Sequence, residues 1–142
     1  MEDPTIDRLE DQISWYDRKS SYNQTAFKSL KVLTIASAAV IPVLSFFPEL
    51  RWITAAVGVV IAVSEGIQQI NQYNANWISY RSTCEALKHE KFLYLSVAGP
   101  YAVATNAHTL LAERVESLVS QEHAKWASSQ EQSKNKVAAK KA

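Results

Sequence analysis

Helix breakers are scarce in this chain: three glycines and four prolines in 142 residues predict helix nearly everywhere. A single cysteine, Cys84, excludes an intramolecular disulfide and a cysteine-rich zinc site. Net charge is almost nil, with 15 Lys and Arg against 14 Asp and Glu, so no general electrostatic attraction to nucleic acid is expected. The sequence has no glycine-rich phosphate loop, dinucleotide fingerprint or nucleophile elbow. His89, His108 and His123 form neither an HExxH pair nor a compact Cys/His cluster. His89 beside Glu90, and His123 beside Glu122, are adjacent positions that face different directions on a helix. The chain therefore reads as no enzyme, without catalytic, cofactor or metal residues, although a metal site built across helices is left open. The acidic start Met1-Glu2-Asp3-Pro4 carries no apolar run, which predicts no secretory signal and a cytoplasmic or membrane-retained product.

Charge is absent altogether from two apolar stretches, Val32 to Phe47 and Trp52 to Ser64, separated only by Pro48, Glu49, Leu50 and Arg51. This pattern predicts a helical hairpin in or across a membrane, at about residues 30–70. Neither stretch is long enough alone, since a hydrocarbon slab of ~30 Å needs ~20 residues at ~1.5 Å each. Leu30 and Lys31 extend the first if the Lys31 ammonium snorkels to the headgroups. Glu65 to Ile70 extend the second, placing Glu65, Gln68 and Gln69 near one membrane edge. Residues 1–31 carry five basic and six acidic groups and residues 65–142 nine and seven. Only Glu49 and Arg51 would have to be translocated. Lys28 and Lys31 before the first stretch agree with the positive-inside rule, so both termini are expected in the cytoplasm and the localisation is a multi-pass inner-membrane protein.

The remaining chain predicts long helices. Pro4 and Thr5 open the first, with Ile6, Leu9, Ile13 and Tyr16 at helical spacing; Pro42 should bend it or free the Ala38 carbonyl. From Trp52 a helix without proline is expected to continue to Ala98, until Gly99-Pro100 supplies a stop and a restart. A last helix from Tyr101 to Trp126 carries Ala104, Ala107, Leu111, Val115, Leu118 and Val119 on one stripe. That stripe should pack antiparallel on Trp77, Tyr80, Cys84, Leu87 and Tyr94. The fold is thus an all-α single domain over 1–127, with a two-transmembrane hairpin continuous with a cytoplasmic antiparallel bundle. Residues 128–142 are expected to be a polar, lysine-rich, frayed or solvated tail whose four lysines could touch anionic lipid.

Two sets of polar residues stand out. On the hairpin, Glu65 would form an acidic ring in an oligomeric pore, with Thr54, Ser64, Gln68 and Gln69 adding polar contacts; the plainer reading is a membrane-edge carboxylate facing water. In WISYRSTCEALKHEKFLY, residues 77–94, Arg81 pairs with Glu85 at four and Glu85 with Lys88 at three. These residues, with Glu90, fit an interhelical network to Glu113, Glu116 or Glu122, or else a solvated charged face. Cys84 lies on the apolar stripe as core filler. Small residues (Ala36, Ser37, Ala38 and Ala39; Ala55, Ala56, Gly58 and Ala62) would let hairpins associate closely in lipid.

Taken together, Trp15-Tyr16 before the hairpin, Ile41-Pro42 within it, Trp52 to Ile67, the 77–94 segment, Gly99-Pro100-Tyr101 and RVESLVSQEHAKW at 114–126 resemble the bacterial SLATT superfamily, the SMODS and SLOG-associating two-transmembrane effector domains. The resemblance implies a short helical hairpin flanked by cytoplasmic helices. It also implies an oligomeric, pore-forming or ion-conducting effector linked to stress or phage defence, triggered by a separate sensor protein. Two rival expectations stand beside it: a non-conducting membrane scaffold, and a water-soluble helical-bundle adaptor in which the apolar pair is a buried core.

Overall fold

Four long helices carry the chain through residues 4–141, which are the residues the computed structural model describes; no strand occurs among them. They are α1 (Pro4–Leu44), α2 (Arg51–Asn71), α3 (Tyr73–Leu95) and α4 (Ala107–Lys141), with single tight helical turns at Pro48–Leu50 and Gly99–Ala102. The backbone forms two compact units. One comprises Met1–Asp17 with Ser79–Ala142, the other Arg18–Ile78, so α1 and α3 contribute to both.

The helix ends follow local chemistry. Pro42 sits in the last turn of α1 and, lacking an N–H, leaves the Ala38 carbonyl without its helical donor. The helix ends at Leu44, and both the amide and the hydroxyl of Ser45 donate to the Ile41 carbonyl, at 3.0 and 2.9 Å. The spacing predicts one helix from Trp52 to Ala98, but the backbone breaks at Gln72, which adopts a left-handed φ of 49°. Gly58 and Gly66, the two glycines in α2, leave that helix unbroken. Around the break Asn71 donates its side-chain amide to the Ile67 carbonyl and Asn76 to the Asn71 carbonyl. Side chains that bond the backbone locally compete with the helical ladder. α3 resumes at once, with the Asn76 amide donating to the Gln72 carbonyl at 3.0 Å.

α3 closes in a Schellman motif. The Val97 amide donates to the Tyr94 carbonyl at 3.1 Å and the Ala98 amide to the Leu93 carbonyl at 2.9 Å. Val97, with φ 48°, takes the left-handed position, and Gly99 follows at φ 58°. Gly99-Pro100-Tyr101-Ala102 then forms only a tight turn, so the last helix does not restart at Tyr101. It begins at Ala107, where Asn106 caps it by accepting the Thr109 amide at 3.1 Å. Nor does it stop at Trp126: it continues to Lys141, through Ala-, Lys- and Gln-containing sequence with good helix propensity. The predicted lipid contact of Lys134, Lys136, Lys140 and Lys141 falls on side chains outside the described residues.

Within the first unit three helical segments surround an apolar core of Leu9 and Tyr16 from α1, Cys84 and Leu87 from α3, Tyr101 from the tight turn, and Leu111 and Val115 from α4. Each fully buried aliphatic contributes about 1.5–3 kcal/mol relative to exposure. Ile6, Ile13, Tyr80, Tyr94, Ala107, Leu118 and Val119 pack around it. Pairings set the directions. Glu10 meets Lys91 while Asp17 meets Arg81, so α1 and α3 are antiparallel; Arg8 meets Glu116 while Tyr16 meets Glu122, so α1 and α4 are parallel. α3 and α4 are therefore the antiparallel neighbours that the stripe pattern predicts. Two expected members depart from the pattern: Ala104 precedes α4 in the connection, and Trp77 belongs to the second unit.

Candidate functional site

In the second unit the usual relation between polarity and burial is inverted. Its buried residues are Ser20, Asn23, Thr34 and Ser64, all polar. Between residues 32 and 64 no apolar side chain is buried, and Val32, Ile35, Val43, Phe46, Trp52, Val59 and Val63 are all more than half exposed. α1 and α2 are each part of a helical stretch long and apolar enough to cross a membrane by length and composition, and only 6% of each apolar window is buried. A core helix of a water-soluble protein would be mostly covered. Hydroxyls on the hairpin turn inward on their own helices: Thr34 donates to the Leu30 carbonyl at 3.0 Å, Ser45 to Ile41, and Thr54 to Leu50 at 3.3 Å.

At the end of the hairpin away from the Pro48–Leu50 turn, the Lys31 ammonium lies 3.0 Å from the Glu65 carboxylate, bridging α1 and α2, with both side chains nearly half exposed. Further from the turn, the Lys28 ammonium stands 5.6 Å from the centre of the Trp77 ring, within cation–π range. Of the residues grouped with Glu65 by sequence, Ser64 is buried beside it, Gln68 donates to the Ser64 carbonyl at 3.4 Å and Gln69 is exposed. Thr54 is not brought to them; it lies in the first turn of α2, roughly 16 Å along the helix axis. Built onto Gly58, a Cβ would meet nothing within 4 Å, so contacts within this chain do not require glycine there.

The first unit orders its charges into contacts both within α3 and between helices. Arg81 reaches Glu85 at 2.7 Å and Asp17 of α1 at 3.4 Å, and Lys88 reaches the same two carboxylates at 3.4 and 3.7 Å. Lys91 pairs with Glu10 at 2.5 Å and Arg8 with Glu116 at 2.6 Å. These pairs are largely exposed and each contributes at most about 1 kcal/mol.

Glu90 differs. Its side chain is only 7% exposed and accepts from Arg114 twice, at 2.8 and 2.6 Å, and from the Tyr101 hydroxyl at 2.7 Å. Arg114 holds the Glu90 carboxyl below its usual range, against the upward push of burial, with Tyr101 adding to the effect. Burial and the Glu90 carboxylate push the Tyr101 hydroxyl well up. Glu122 is buried and accepts from the Tyr16 hydroxyl at 3.4 Å; burial, then the Glu122 charge, raise Tyr16 to about 12. Cys84 is fully buried, its thiol 3.7 Å from the Ile13 carbonyl and pushed up by burial.

The network thus joins residues singled out in α3 to partners that helical spacing did not supply: Asp17 in α1 for Arg81 and Lys88, and Tyr101 in the tight turn and Arg114 in α4 for Glu90. The carboxylates Glu116 and Glu122 face α1 rather than the α3 cations. Only the adjoining signals, Gly99-Pro100-Tyr101 and RVESL, marked this region in the sequence. Among the described residues no buried side-chain nitrogen or oxygen lacks a hydrogen-bond partner, and no three His, Cys, Asp or Glu residues come together as metal ligands.

A family model described as "Protein of unknown function (DUF4231)" matches residues 11–109, a span that takes in both apolar stretches and the 77–94 segment. No curated protein and no solved structure matches the chain.

Proposed function

The chain belongs to the DUF4231 family, and from that premise we propose that it is an integral membrane protein whose hairpin self-associates in a bilayer and permeabilises it. The inverted burial of residues 18–78 carries this reading: polar Ser20, Asn23, Thr34 and Ser64 inside, the apolar surface of residues 32–64 outside. Water-soluble monomers rarely expose contiguous apolar patches beyond a few hundred Å². In hydrocarbon that surface is at home, and the hydroxyls of Thr34, Ser45 and Thr54 are bonded to carbonyls of their own helix or its adjoining turn. Glu49 and Arg51 are the only charges that insertion would carry across, so both termini stay in the cytoplasm at the inner membrane.

The small residues on both helices, with open space at Gly58, support association between copies of the hairpin. The resemblance to SLATT effectors supports permeation as the output and a link to stress or phage defence. In this reading a separate sensor protein acts through the helical bundle, and neither an enzymatic step nor a nucleic acid takes part. The Lys31–Glu65 pair favours a second reading, a non-conducting membrane scaffold, because a carboxylate neutralised by its own lysine makes a weak acidic ring.

Carbonate extraction and detergent-phase separation test membrane insertion, and ion flux from reconstituted liposomes tests permeation. The full-length protein is expected in the carbonate-resistant pellet, with a cation flux whose selectivity falls on Glu65→Gln. Inserted oligomers without conductance would leave the scaffold. A protein soluble without detergent would leave the helical-bundle adaptor.

A further inference from the structure

We infer that the hairpin is matched to thin hydrocarbon, with the Lys31–Glu65 ion pair setting the limit of its apolar height. The inference rests on the membrane reading above and concerns which bilayer the hairpin fits. At ~1.5 Å per residue, α1 rises about 20 Å from Lys31 to Leu44 and α2 about 21 Å from Arg51 to Glu65. Both helices therefore present the same short apolar band, bounded on one side by Glu49 and Arg51 and on the other by the ion pair. An ordinary hydrocarbon core is ~30 Å thick, and tilting shortens the projected height further.

Snorkelling would normally lengthen such a span. Here the Lys31 ammonium is held 3.0 Å from the Glu65 carboxylate, which ties it to the height of α2. Glu65 has a short side chain and cannot extend the band either, since helical side chains lean toward the helix N-terminus, and for α2 that is the membrane-inserted end. Beyond the pair polar groups set in, with Gln68 and Asn71 on α2, Gln72 at the break and Asn76 on α3, and Asn23 and Lys28 on α1, although Ile67 and Ile70 also lie there. A hairpin shorter than its bilayer must thin the bilayer locally, oligomerise or insert poorly. The chemical partner is thus a bilayer region of short or disordered acyl chains.

The test uses the full-length protein, diluted from detergent into phosphatidylcholine vesicles with monounsaturated chains of fourteen, eighteen or twenty-two carbons. The readout is the fraction that becomes carbonate-resistant, which does not depend on conductance. Wild type is expected to insert about tenfold better into the thinnest than into the thickest vesicles. In Lys31→Leu with Glu65→Leu the next charge on α1 is Lys28, so the band lengthens by about 5 Å and the preference should move toward thicker lipid. The charge-swapped pair, Lys31→Glu with Glu65→Lys, keeps the limit in place and should keep the wild-type preference. Equal insertion at all three thicknesses overturns the inference while leaving the membrane reading intact. So does a leucine double variant that inserts well and retains the wild-type profile. Failure to insert into any vesicle overturns both.

Discussion

Glu90 joins three elements of the bundle through a single carboxylate. Its carboxylate is almost out of water and is held by two guanidinium hydrogen bonds and one phenol, which ties α3, the tight turn and α4 to one register. Breaking a buried pair from one side leaves the other charge without compensation. Because the Arg114 side chain is 44% exposed, water takes over part of its role, and Arg114→Ala should cost about 2–3 kcal/mol. The pH dependence gives a second reading. The folded-state pKa of Glu90 lies below its unfolded value, so its contribution is complete above about pH 4.3 and disappears as pH falls through the folded value. Wild type should therefore lose thermal stability on acidification below that point. Arg114→Ala removes the group that lowers the pKa and should show a shallower acid loss, measured by circular dichroism melts from pH 7 to pH 3. Equal acid slopes in the two proteins would contradict the assignment. The sequence marked Glu90 through its helical neighbours, but Arg114 and Tyr101 come from other elements, and the register that joins them is tertiary information.

The helices themselves were largely legible, because few residues in the chain oppose helix and each proline announces an end. The exceptions have physical causes. Gln72 breaks the stretch from Trp52 through competing side-chain amides rather than through glycine or proline. The end of α3 depends on which amide closes the Schellman ring: Gly99 two residues later drew attention as the cap, yet the left-handed position is Val97. A β-branched residue is poorly suited there, since its Cβ crowds the following carbonyl oxygen. Val97 is 65% exposed, so little packing is lost on replacement. Val97→Gly should stabilise the protein by about 1 kcal/mol, strain relief exceeding the added freedom of the unfolded chain. Val97→Ala keeps the Cβ and should recover much less. Denaturant unfolding of the two variants beside wild type, followed by far-ultraviolet circular dichroism, checks the difference. A gain for alanine equal to that for glycine would show that side-chain entropy, not left-handed strain, is what changes.

For the whole molecule, the chain divides its apolar residues between two environments. Those of Met1–Asp17 with Ser79–Ala142 close on Leu9, Tyr16, Leu87, Leu111 and Val115, the arrangement expected when water is the solvent. Those of residues 32–64 face outward around buried Thr34 and Ser64. Composition alone cannot separate these cases, because an apolar helix at helical spacing suits a core as well as a bilayer. The absence of charge set the two stretches apart in the sequence, and their exposure is what the fold adds. Two substitutions should then act independently. Leu87 is fully buried, and Leu87→Ala should lower bundle stability by about 2–5 kcal/mol while the protein stays in the carbonate-resistant pellet. Val40 lies within the charge-free stretch of α1, is 45% exposed and belongs to the second unit, so Val40→Arg leaves the bundle core untouched. An arginine there opposes insertion by about 2.5–3.5 kcal/mol, and the protein should move toward the carbonate-soluble fraction with its bundle melting transition unchanged. If the hairpin were instead part of a water-soluble core, wild type would already be carbonate-soluble, and Val40→Arg would lower the melting transition as Leu87→Ala does.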